Sequence, residues 1–573
     1  MTWKLKERAR NLIKNEKGTI KKPWGGEKIN WVLGYPSYYH IGMSNLGFLS
    51  IYNILNQIPN TLCERVFLPS PEEALEYQKY STPLFSLESC QSLYQFHLVA
   101  FSVSFENDYP NLLNMLELAK IPLKSLDRDN SYPLIIGGGV ALTLNPEVLS
   151  EFLDLLVIGE GEDFFQKFME IYREYYQRFD KKDDLLSVLS QIEGTYIPRF
   201  YRKIYHTSGK LKEISPYKSD YPQKIKKLQA SVKEPLYSQI QTKQAEFGDM
   251  FLMEIRRGCG WGCRFCAAGY IYRPLRNADY NNIVSILDKA SLTNKKIGLI
   301  GTSVSEHPKL NDICMFIKEI GGSFSVSSLR FNTITEELVK GLKESGHKTI
   351  SLAPESGSIR LRKIINKNIS DEEIFESIYL ILNNGIPNIK LYFMVGLPHE
   401  TEEDIQSIIS FCKKVKHIFL KIGKGKKVLG KITLSINPFV PKPWTPFQWY
   451  PFCEVEELKK RLKKITNSMK KESNIITTFE PPKWSHIQAL LSRGDNKVSK
   501  ILTSVHYNKG NWEKTFREID INPHFYTYRQ REKDEVFPWD FIDTGIKKEF
   551  LWKEYEKSLS AVSTPPYHNI DDI

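Results

Sequence analysis

A chain of 573 residues is too long for one hydrophobic core and predicts several domains. Hydrophobic residues make up 41% and charged residues 25%, as in soluble globular proteins. No apolar stretch approaches the ~20 residues that cross a bilayer, and the start of the chain lacks a secretory apolar segment. We therefore expect a cytoplasmic protein with no membrane span.

The net charge of +12 permits RNA as a partner. Lysines concentrate in residues 413–431 and 459–471. Solvated helix faces explain such runs equally well, so RNA binding stays an open alternative.

The first half of the chain predicts an arm, an α/β domain and a linker. Residues 1–27 predict a basic N-terminal arm, and residues 28–180 a doubly wound, Rossmann-like domain with alternating strands and helices. Residues 181–247 have little periodicity and predict a linker with short strands. The predicted strands are Ile29–Tyr35, Leu98–Ser104, Pro133–Gly137 and Leu155–Ile158, and the predicted helices are Leu46–Gln57, Tyr109–Lys120 and Asp163–Arg178.

A second alternating series predicts a barrel over residues 248–450. Six strand–helix units fit a partial (β/α)6 TIM-type barrel better than a closed barrel of eight. Residues 451–573 predict a small, mostly helical C-terminal region. The predicted barrel strands are Met250–Ile255, Lys296–Ile300, Ser323–Leu329, Thr349–Leu352, Ile389–Met394 and Ile432–Asn437.

Three cysteines in one glycine-rich loop point to an iron–sulfur cluster. Cys259, Cys263 and Cys266 follow the first predicted barrel strand with C-x3-C-x2-C spacing. Three thiolates can ligate three irons of a 4Fe-4S cluster and leave the fourth iron open. A structural zinc site is the alternative, but zinc usually takes four ligands and the sequence has no second Cys pair. The other five cysteines are scattered, which argues against a disulfide framework and for a reducing compartment.

Unusual residues also follow four other predicted barrel strands. Reactive groups gather at the carboxyl ends of parallel strands. Each group alone fits turn chemistry, whereas their joint occurrence at one end predicts a cofactor site. The candidates are Gly301, Thr302 and Ser303, then Ser328 and Arg330, then Glu355 and Ser356, then Gly396 and Pro398. Tyr270, Tyr272 and Arg273 are expected either to line the mouth of the predicted barrel or to pack beneath the cysteine loop.

The cysteine loop, with Arg264 and Phe265 between its last two cysteines, closely resembles that of radical S-adenosylmethionine (AdoMet) enzymes. Residues 352–367, 393–401 and 439–449 are similar to later strand segments of members with a methylthiotransferase-like core. The resemblance implies that AdoMet binds the open iron and is cleaved to a 5′-deoxyadenosyl radical. It also implies an electron donor such as a flavodoxin or ferredoxin.

The same resemblance gives three residues expected roles toward AdoMet. Arg330 is expected to pair with the AdoMet carboxylate, and Glu355 to contact the amine or ribose. Gly396 has no Cβ and is expected to let backbone approach the adenine.

Residues 35–45, 135–139 and 157–162 resemble the cobalamin-binding domain that precedes the barrel in one large subgroup of these enzymes, and residues 538–555 resemble the tail of a poorly characterised family within it. The D-x-H-x-x-G pattern that supplies an axial histidine is absent, since Tyr38 stands where Asp would. His40 is thus expected to make loop hydrogen bonds, and relatives bind cobalamin without this ligand. The expected cofactor contacts are Tyr38, His40, Ser102, Ser104, Gly137, Gly138, Gly139, Gly159, Glu160 and Gly161.

We therefore expect a radical AdoMet enzyme that performs cobalamin-assisted methyl transfer, or a related radical modification, on an unidentified substrate. One alternative is a radical AdoMet enzyme that modifies RNA without bound cobalamin. Another is a non-catalytic iron–sulfur protein that binds RNA. A methylthiotransferase proper is disfavoured, because no second set of three cysteines precedes the barrel.

Overall fold

A computed structural model describes residues 2–178, 181–291, 295–327, 329–426 and 430–566. No helix within these ranges combines the length and apolar character needed to cross a membrane. The chain begins with helix α1 (Thr2–Lys14) and strand β1 (Glu16–Lys17). Leu5 and Ala9 of α1 are buried against the N-terminal core, so the arm is part of that domain's packing.

A six-stranded sheet forms the centre of the N-terminal domain. Its strands are β2 (Ile29–Tyr35), β3 (Thr61–Phe67), β4 (Leu98–Ser102), β5 (Leu134–Gly138), β6 (Leu155–Val157) and β7 (Thr195–Tyr196). The helices are α2 (Tyr39–Gly42), α3 (Leu46–Gln57), α4 (Pro71–Lys79), α5 (Tyr109–Leu118), α6 (Val140–Leu144), α7 (Phe164–Tyr175) and α8 (Lys182–Leu189). The order is β3-β2-β4-β5-β6-β7, parallel except for β7. Helices cover both faces, which explains why β2 is buried throughout.

Strand β3 is an element that the sequence did not indicate. Glu64 and Arg65 interrupt its apolar pattern, yet both are fully buried. The Arg65 guanidinium pairs with Glu16 at 2.7 Å and with Glu88 at 2.7 Å. Paired charges can occupy a buried strand that an apolar pattern does not reveal.

Residues 181–247 hold more regular structure than their weak periodicity indicated. Besides α8, this segment contains an antiparallel hairpin of β8 (Tyr201–Tyr205) and β9 (Leu211–Pro216). Two short strands follow, β10 (Ile225–Lys226) and β11 (Gln241–Thr242), and β11 pairs with β1. The segment is therefore folded onto the N-terminal domain.

The second half of the chain forms an open barrel from two four-stranded sheets. Its strands are β12 (Phe251–Arg257), β13 (Arg276–Asn277), β14 (Lys296–Gly301), β15 (Ser323–Val326), β16 (Thr349–Glu355), β17 (Asn388–Val395), β18 (Ile432–Pro438) and β19 (Ile475–Phe479). Its helices are α9 (Ala268–Ile271), α10 (Tyr280–Ser291), α11 (Leu310–Glu319), α12 (Glu336–Glu344), α13 (Ile359–Ile364), α14 (Asp371–Asn383) and α15 (Glu402–Lys426). The sheets are β13-β12-β14-β15 and β16-β17-β18-β19, parallel except for β13. The sequence missed β19, whose residues are largely exposed.

The C-terminal region is helical and packs across both domains. It comprises α16 (Val455–Met469), α17 (Pro482–Arg493), α18 (Val498–Tyr507), α19 (Trp512–Glu518), α20 (His524–Thr527), β20 (Ile542–Asp543) and α21 (Lys548–Leu559). Asn145 of the N-terminal domain donates to the Ser492 and Gly494 carbonyls at 3.1 and 2.8 Å. The predicted doubly wound domain, partial barrel and helical C-terminal region are confirmed.

Candidate active site

The cysteine loop begins where β12 ends, at a position that requires glycine. Gly258 has φ +84°, and a Cβ there would lie 2.5 Å from the Tyr272 carbonyl oxygen. Cys259, Cys263 and Cys266 follow, and the chain then enters α9. Cys263 is buried, whereas Cys259 and Cys266 are partly exposed. The loop thus lies at the carboxyl end of the first barrel strand, as the sequence predicted.

The three thiols share one buried environment that suits cluster ligands. Burial raises the pKa of Cys259, and burial together with the neighbouring Cys263 and Cys259 raises the pKa of Cys266 to about 12. Backbone N–H groups of Ala268 and Gly269 donate to Cys266, and that of Trp261 to Cys259. A bound metal deprotonates such thiols, and amide donors to sulfur then stabilise the cluster.

Among the described residues, no three His, Cys, Asp or Glu side chains are arranged to hold a single metal ion. A cubane cluster spreads its three protein ligands over three irons, so its sulfurs need not converge on one point.

Arg264, inside the cysteine loop, connects it to the C-terminal region. Its guanidinium lies 3.1 Å from the Glu554 carboxylate, and both side chains are almost completely buried. It also donates to the Ile364 carbonyl at 2.9 Å and the Val562 carbonyl at 2.7 Å. Sequence reasoning missed Glu554, which lies 290 positions away, because the resemblance of residues 538–555 gave this residue no role.

Other buried side chains hold the loop backbone from below. Asn366 donates to the Gly262 carbonyl at 3.0 Å, and Tyr270 to the same oxygen at 3.3 Å. Arg273 donates to the Gly269 carbonyl at 2.7 Å. Tyr270 and Arg273 therefore support the loop rather than line an open mouth, and Phe265 packs against the apolar core that the N-terminal domain shares with the barrel and the C-terminal region.

The end of β14 fixes the start of the cysteine loop. Thr302 donates its hydroxyl to the Gly258 carbonyl at 2.6 Å, and Ser303 lies 3.4 Å from the same oxygen. A Cβ at Gly301 would lie 2.3 Å from the Arg256 carbonyl oxygen. These predicted cofactor residues therefore lie directly beside Cys259 and position its backbone.

Arg330 and Trp261 form a charged and aromatic unit beside the loop. The Arg330 guanidinium lies 3.9 Å from the centre of the Trp261 ring, and its Nε is 3.4 Å from the Glu306 carboxylate. Trp261 donates its indole N–H to Glu306. Sequence reasoning missed Glu306, which follows the second barrel strand. Ser328 lies outside the described residues.

The remaining predicted residues lie at the ends of β16 and β17. Glu355 has φ +65° and its carboxylate pairs with the Lys367 ammonium at 2.9 Å. Ser356 is fully buried, and its hydroxyl accepts a hydrogen bond from the Ser358 N–H at 3.1 Å. Gly396 donates its N–H to Glu400 at 2.7 Å. Pro398 is buried in the turn that follows. The structure thus brings Glu355, Ser356, Gly396 and Pro398 to the same barrel end as the cysteines.

A cavity of about 490 Å³ separates the sheet of the N-terminal domain from the barrel. Ser102, Ser104, residues 137–139 and residues 159–161 line it from one side, and Tyr272, Gly301 and Thr302 from the other. Tyr38 and His40 are exposed and are not among the described lining residues. The backbone carbonyl of His40 accepts from the Ser44 hydroxyl and the Glu246 N–H.

A network of charged side chains forms the cavity wall where the two domains meet. Glu160 pairs with Arg257 at 3.0 Å and with Arg276 at 2.6 Å. Arg257 also pairs with Glu162 at 2.7 Å and with Glu254 at 2.6 Å. Burial would raise the pKa of Glu160, but Arg276 and Arg257 outweigh it and hold that pKa below its usual value. Burial raises the pKa of Glu162.

Two family models match this chain over the regions just described. Residues 47–198 match the N-terminal domain of radical SAM proteins, and residues 253–412 match the radical SAM superfamily. The uncharacterized protein MJ0966 of Methanocaldococcus jannaschii is 32% identical over 436 residues, which cover 74% of this chain and 84% of that protein.

Two further comparisons are more distant. A threonylcarbamoyladenosine tRNA methylthiotransferase, MtaB of Aquifex aeolicus, is 27% identical over 309 residues, 52% of this chain and 64% of that protein. The cobalamin-dependent S-adenosylmethionine radical enzyme OxsB, solved with aqua-cobalamin bound, superposes with a TM-score of 0.51 at 13% identity, covering 93% of this chain and 80% of OxsB. The likeness to OxsB shows a shared fold.

The chain therefore belongs to the radical SAM superfamily, in the subgroup that carries an N-terminal domain ahead of the radical core. The protein is a radical SAM enzyme, and the predicted 4Fe-4S cluster and AdoMet are confirmed as its cofactors over a structural zinc site.

Proposed function

We propose that this enzyme binds cobalamin in the 490 Å³ cavity and performs methyl transfer, or a related radical modification, on an unactivated carbon. The single observation that carries this proposal is the composition of the cavity wall. Glycine and serine strand ends of the doubly wound domain form one side, and barrel strand ends next to the cysteine loop form the other. A ligand in this cavity would lie between the sheet of the N-terminal domain and the barrel strand ends beside the cysteine loop.

The shape of the wall supports a large, mostly apolar ligand with polar edges. Leu33, Ala100 and Ile136 of the sheet face Ile51 and Phe165 of the covering helices across the cavity. Gly139 and Gly159 bring backbone close to backbone, since a Cβ would lie 2.5 Å from the Val103 oxygen and 2.4 Å from the Leu228 oxygen. The apolar walls and the polar strand ends together support a corrin with its nucleotide tail as the ligand.

When bound, the cluster and AdoMet supply a 5′-deoxyadenosyl radical, and the corrin supplies a methyl group. Cys259, Cys263 and Cys266 would hold the cluster. Arg330 and Glu355 would orient the AdoMet carboxylate and amine, each in place of its present partner. The space beside the Cα of Gly396 is filled by Leu458 and Cys453, so the missing Cβ serves this packing rather than an approach to the adenine. An electron donor such as a flavodoxin or ferredoxin would reduce the cluster.

Anaerobic purification with added hydroxocobalamin tests the proposal. We expect corrin absorbance that stays with the protein, and 5′-deoxyadenosine on addition of AdoMet and a reductant. Cys263→Ala should form no 5′-deoxyadenosine. Gly138→Leu should exclude the corrin, because a Cβ at Gly138 meets only atoms 3.8 Å or more away and the side chain would enter the cavity. Wild-type protein without corrin absorbance would refute the cobalamin proposal.

RNA modification without cobalamin is the second candidate, supported by the similarity to MtaB. The lysine-rich segments 413–431 and 459–471 support RNA binding less than their positive charge alone would indicate. Lys416 pairs with Glu472 at 2.8 Å, and Lys464 with Glu402 at 2.6 Å, so acidic side chains already occupy part of these faces. Formation of 5′-deoxyadenosine that increases with added tRNA, in protein that binds no corrin, would favour this candidate.

A further inference from the structure

A buried lysine side chain on the cavity wall has no hydrogen-bond partner. Lys227 is 7% exposed, and its Nζ atom is buried without a donor–acceptor contact to any described residue. Lys227 is also one of the residues that line the 490 Å³ cavity. Lys227 therefore lies in the cavity wall, and no described residue satisfies its ammonium group.

The backbone holds Lys227 firmly beside the last glycine loop of the N-terminal sheet. Its N–H donates to the Asp543 carbonyl at 2.8 Å, and the next residue, Leu228, donates to the Ile158 carbonyl at 2.9 Å. The Glu160 N–H returns a bond to the Leu228 carbonyl at 3.1 Å. The backbone of Lys227 is thus fixed at the edge of the Gly159 loop.

Nearby charges do not satisfy this ammonium. Glu160 is the carboxylate that acts on Lys227, but its oxygens already accept from Arg257, Arg276 and the Ala230 N–H. Burial lowers the pKa of Lys227, and Glu160 offsets part of this effect. A buried ammonium without a partner destabilises a fold, so its presence in a cavity indicates a group that a ligand completes.

We propose that Lys227 is an anion subsite of the cavity and binds a phosphate ester oxygen of the ligand there. An ammonium is a compact point charge that suits a phosphate oxygen, and glycine loops let such a group approach the backbone closely. The inference rests on the proposed function where the phosphate is the phosphodiester of the cobalamin nucleotide tail. A phosphate-bearing substrate would supply the same chemistry.

Corrin binding by variants of Lys227 tests the subsite. Lys227→Met keeps most of the side-chain volume and removes the charge, and Lys227→Arg keeps the charge. We expect Lys227→Met to bind hydroxocobalamin about 10- to 100-fold more weakly than wild type, from the loss of one charge-assisted hydrogen bond. Lys227→Arg should retain most of the affinity. Cobinamide, which lacks the nucleotide tail and its phosphate, should bind wild type and Lys227→Met equally.

Thermal unfolding of the ligand-free proteins is a second measurement, in which the variant that binds cobalamin more weakly is expected to be the more stable protein. Lys227→Met should melt at a higher temperature than wild type, because it removes an unsatisfied buried charge. A lower melting temperature would assign Lys227 a structural role and overturn the inference. Unchanged cobalamin affinity, or equal weakening of cobalamin and cobinamide, would overturn it as well.

Whether the wild-type protein binds cobalamin distinguishes a failure of the proposed function from a failure of the Lys227 anion subsite. If wild type binds no corrin, the cobalamin proposal fails, and titration calorimetry with inorganic phosphate then tests the subsite alone. Heat of binding in wild type that is absent in Lys227→Met supports the subsite. No phosphate binding by wild type, or equal binding by both proteins, overturns it.

Discussion

Replacing Glu554 with Gln should release the cysteine loop from the C-terminal region. Arg264 and Glu554 form an ion pair with 0% and 1% side-chain exposure at 3.1 Å. Breaking a buried pair by neutralising one partner typically costs about 3–5 kcal/mol. Arg264 keeps its bonds to the Ile364 and Val562 carbonyls, which places the expected cost near the lower limit. A cost of about 3 kcal/mol corresponds to a roughly 150-fold larger population of the undocked segment.

Hydrogen–deuterium exchange followed by mass spectrometry measures this population directly. Peptides that cover residues 548–564 and 259–266 should exchange about 100-fold faster in Glu554→Gln than in wild type, and the variant should retain less iron after anaerobic reconstitution. Glu556→Gln is the matched control, since Glu556 lies on the same helix, is exposed, and within the described part of the chain accepts a hydrogen bond only from the Trp552 indole at 2.7 Å. Exchange in Glu554→Gln within threefold of the control would refute the reasoning.

Two further predictions concern a glycine and a buried histidine. Gly159→Ala should lower the melting temperature by several degrees, a cost of at least ~2 kcal/mol, because Gly159 has φ +108° and a Cβ would lie 2.4 Å from the Leu228 oxygen. Gly248→Ala, at φ +62° with no atom within 4 Å of its Cβ, is the control and should cost about 1 kcal/mol; equal effects would contradict the clash. Burial lowers the pKa of His486 to about 4, so folding stability should be present above about pH 6.5 and be lost by up to ~3 kcal/mol as the pH falls toward 4. His486→Phe should flatten the melting temperature between pH 7 and pH 4.5, and a variant with the wild-type pH dependence would show that other groups control it.

Periodicity predicted the elements that bury one continuous apolar face. Strand β2 and helix α3 have the predicted bounds, because their apolar residues follow the period of the element. Strand β3 escaped notice because Glu64 and Arg65 are buried as ion partners, a fact that depends on Glu16 and Glu88 elsewhere in the chain. Local pattern cannot reveal a charge whose partner is distant.

The residues of the candidate active site divide in the same way, into those with a local sequence signal and those that depend on distant partners. The three cysteines and the glycine strand ends carry their own local signal, through ligand spacing and the need for close backbone approach. Glu306 and Lys227 carry none, and the resemblance of residues 538–555 does not indicate the ion pair of Glu554, since each of these residues acquires its role from the residue or cavity that it meets after folding.

Arg264 and Glu554 are 290 positions apart in the chain, which has a consequence for the order of maturation. A ribosome that has completed the barrel has not yet made the helix that secures the cysteine loop. The ion pair with Glu554 and the contact with the Val562 carbonyl can therefore form only after α21 and the residues that follow it have been synthesised.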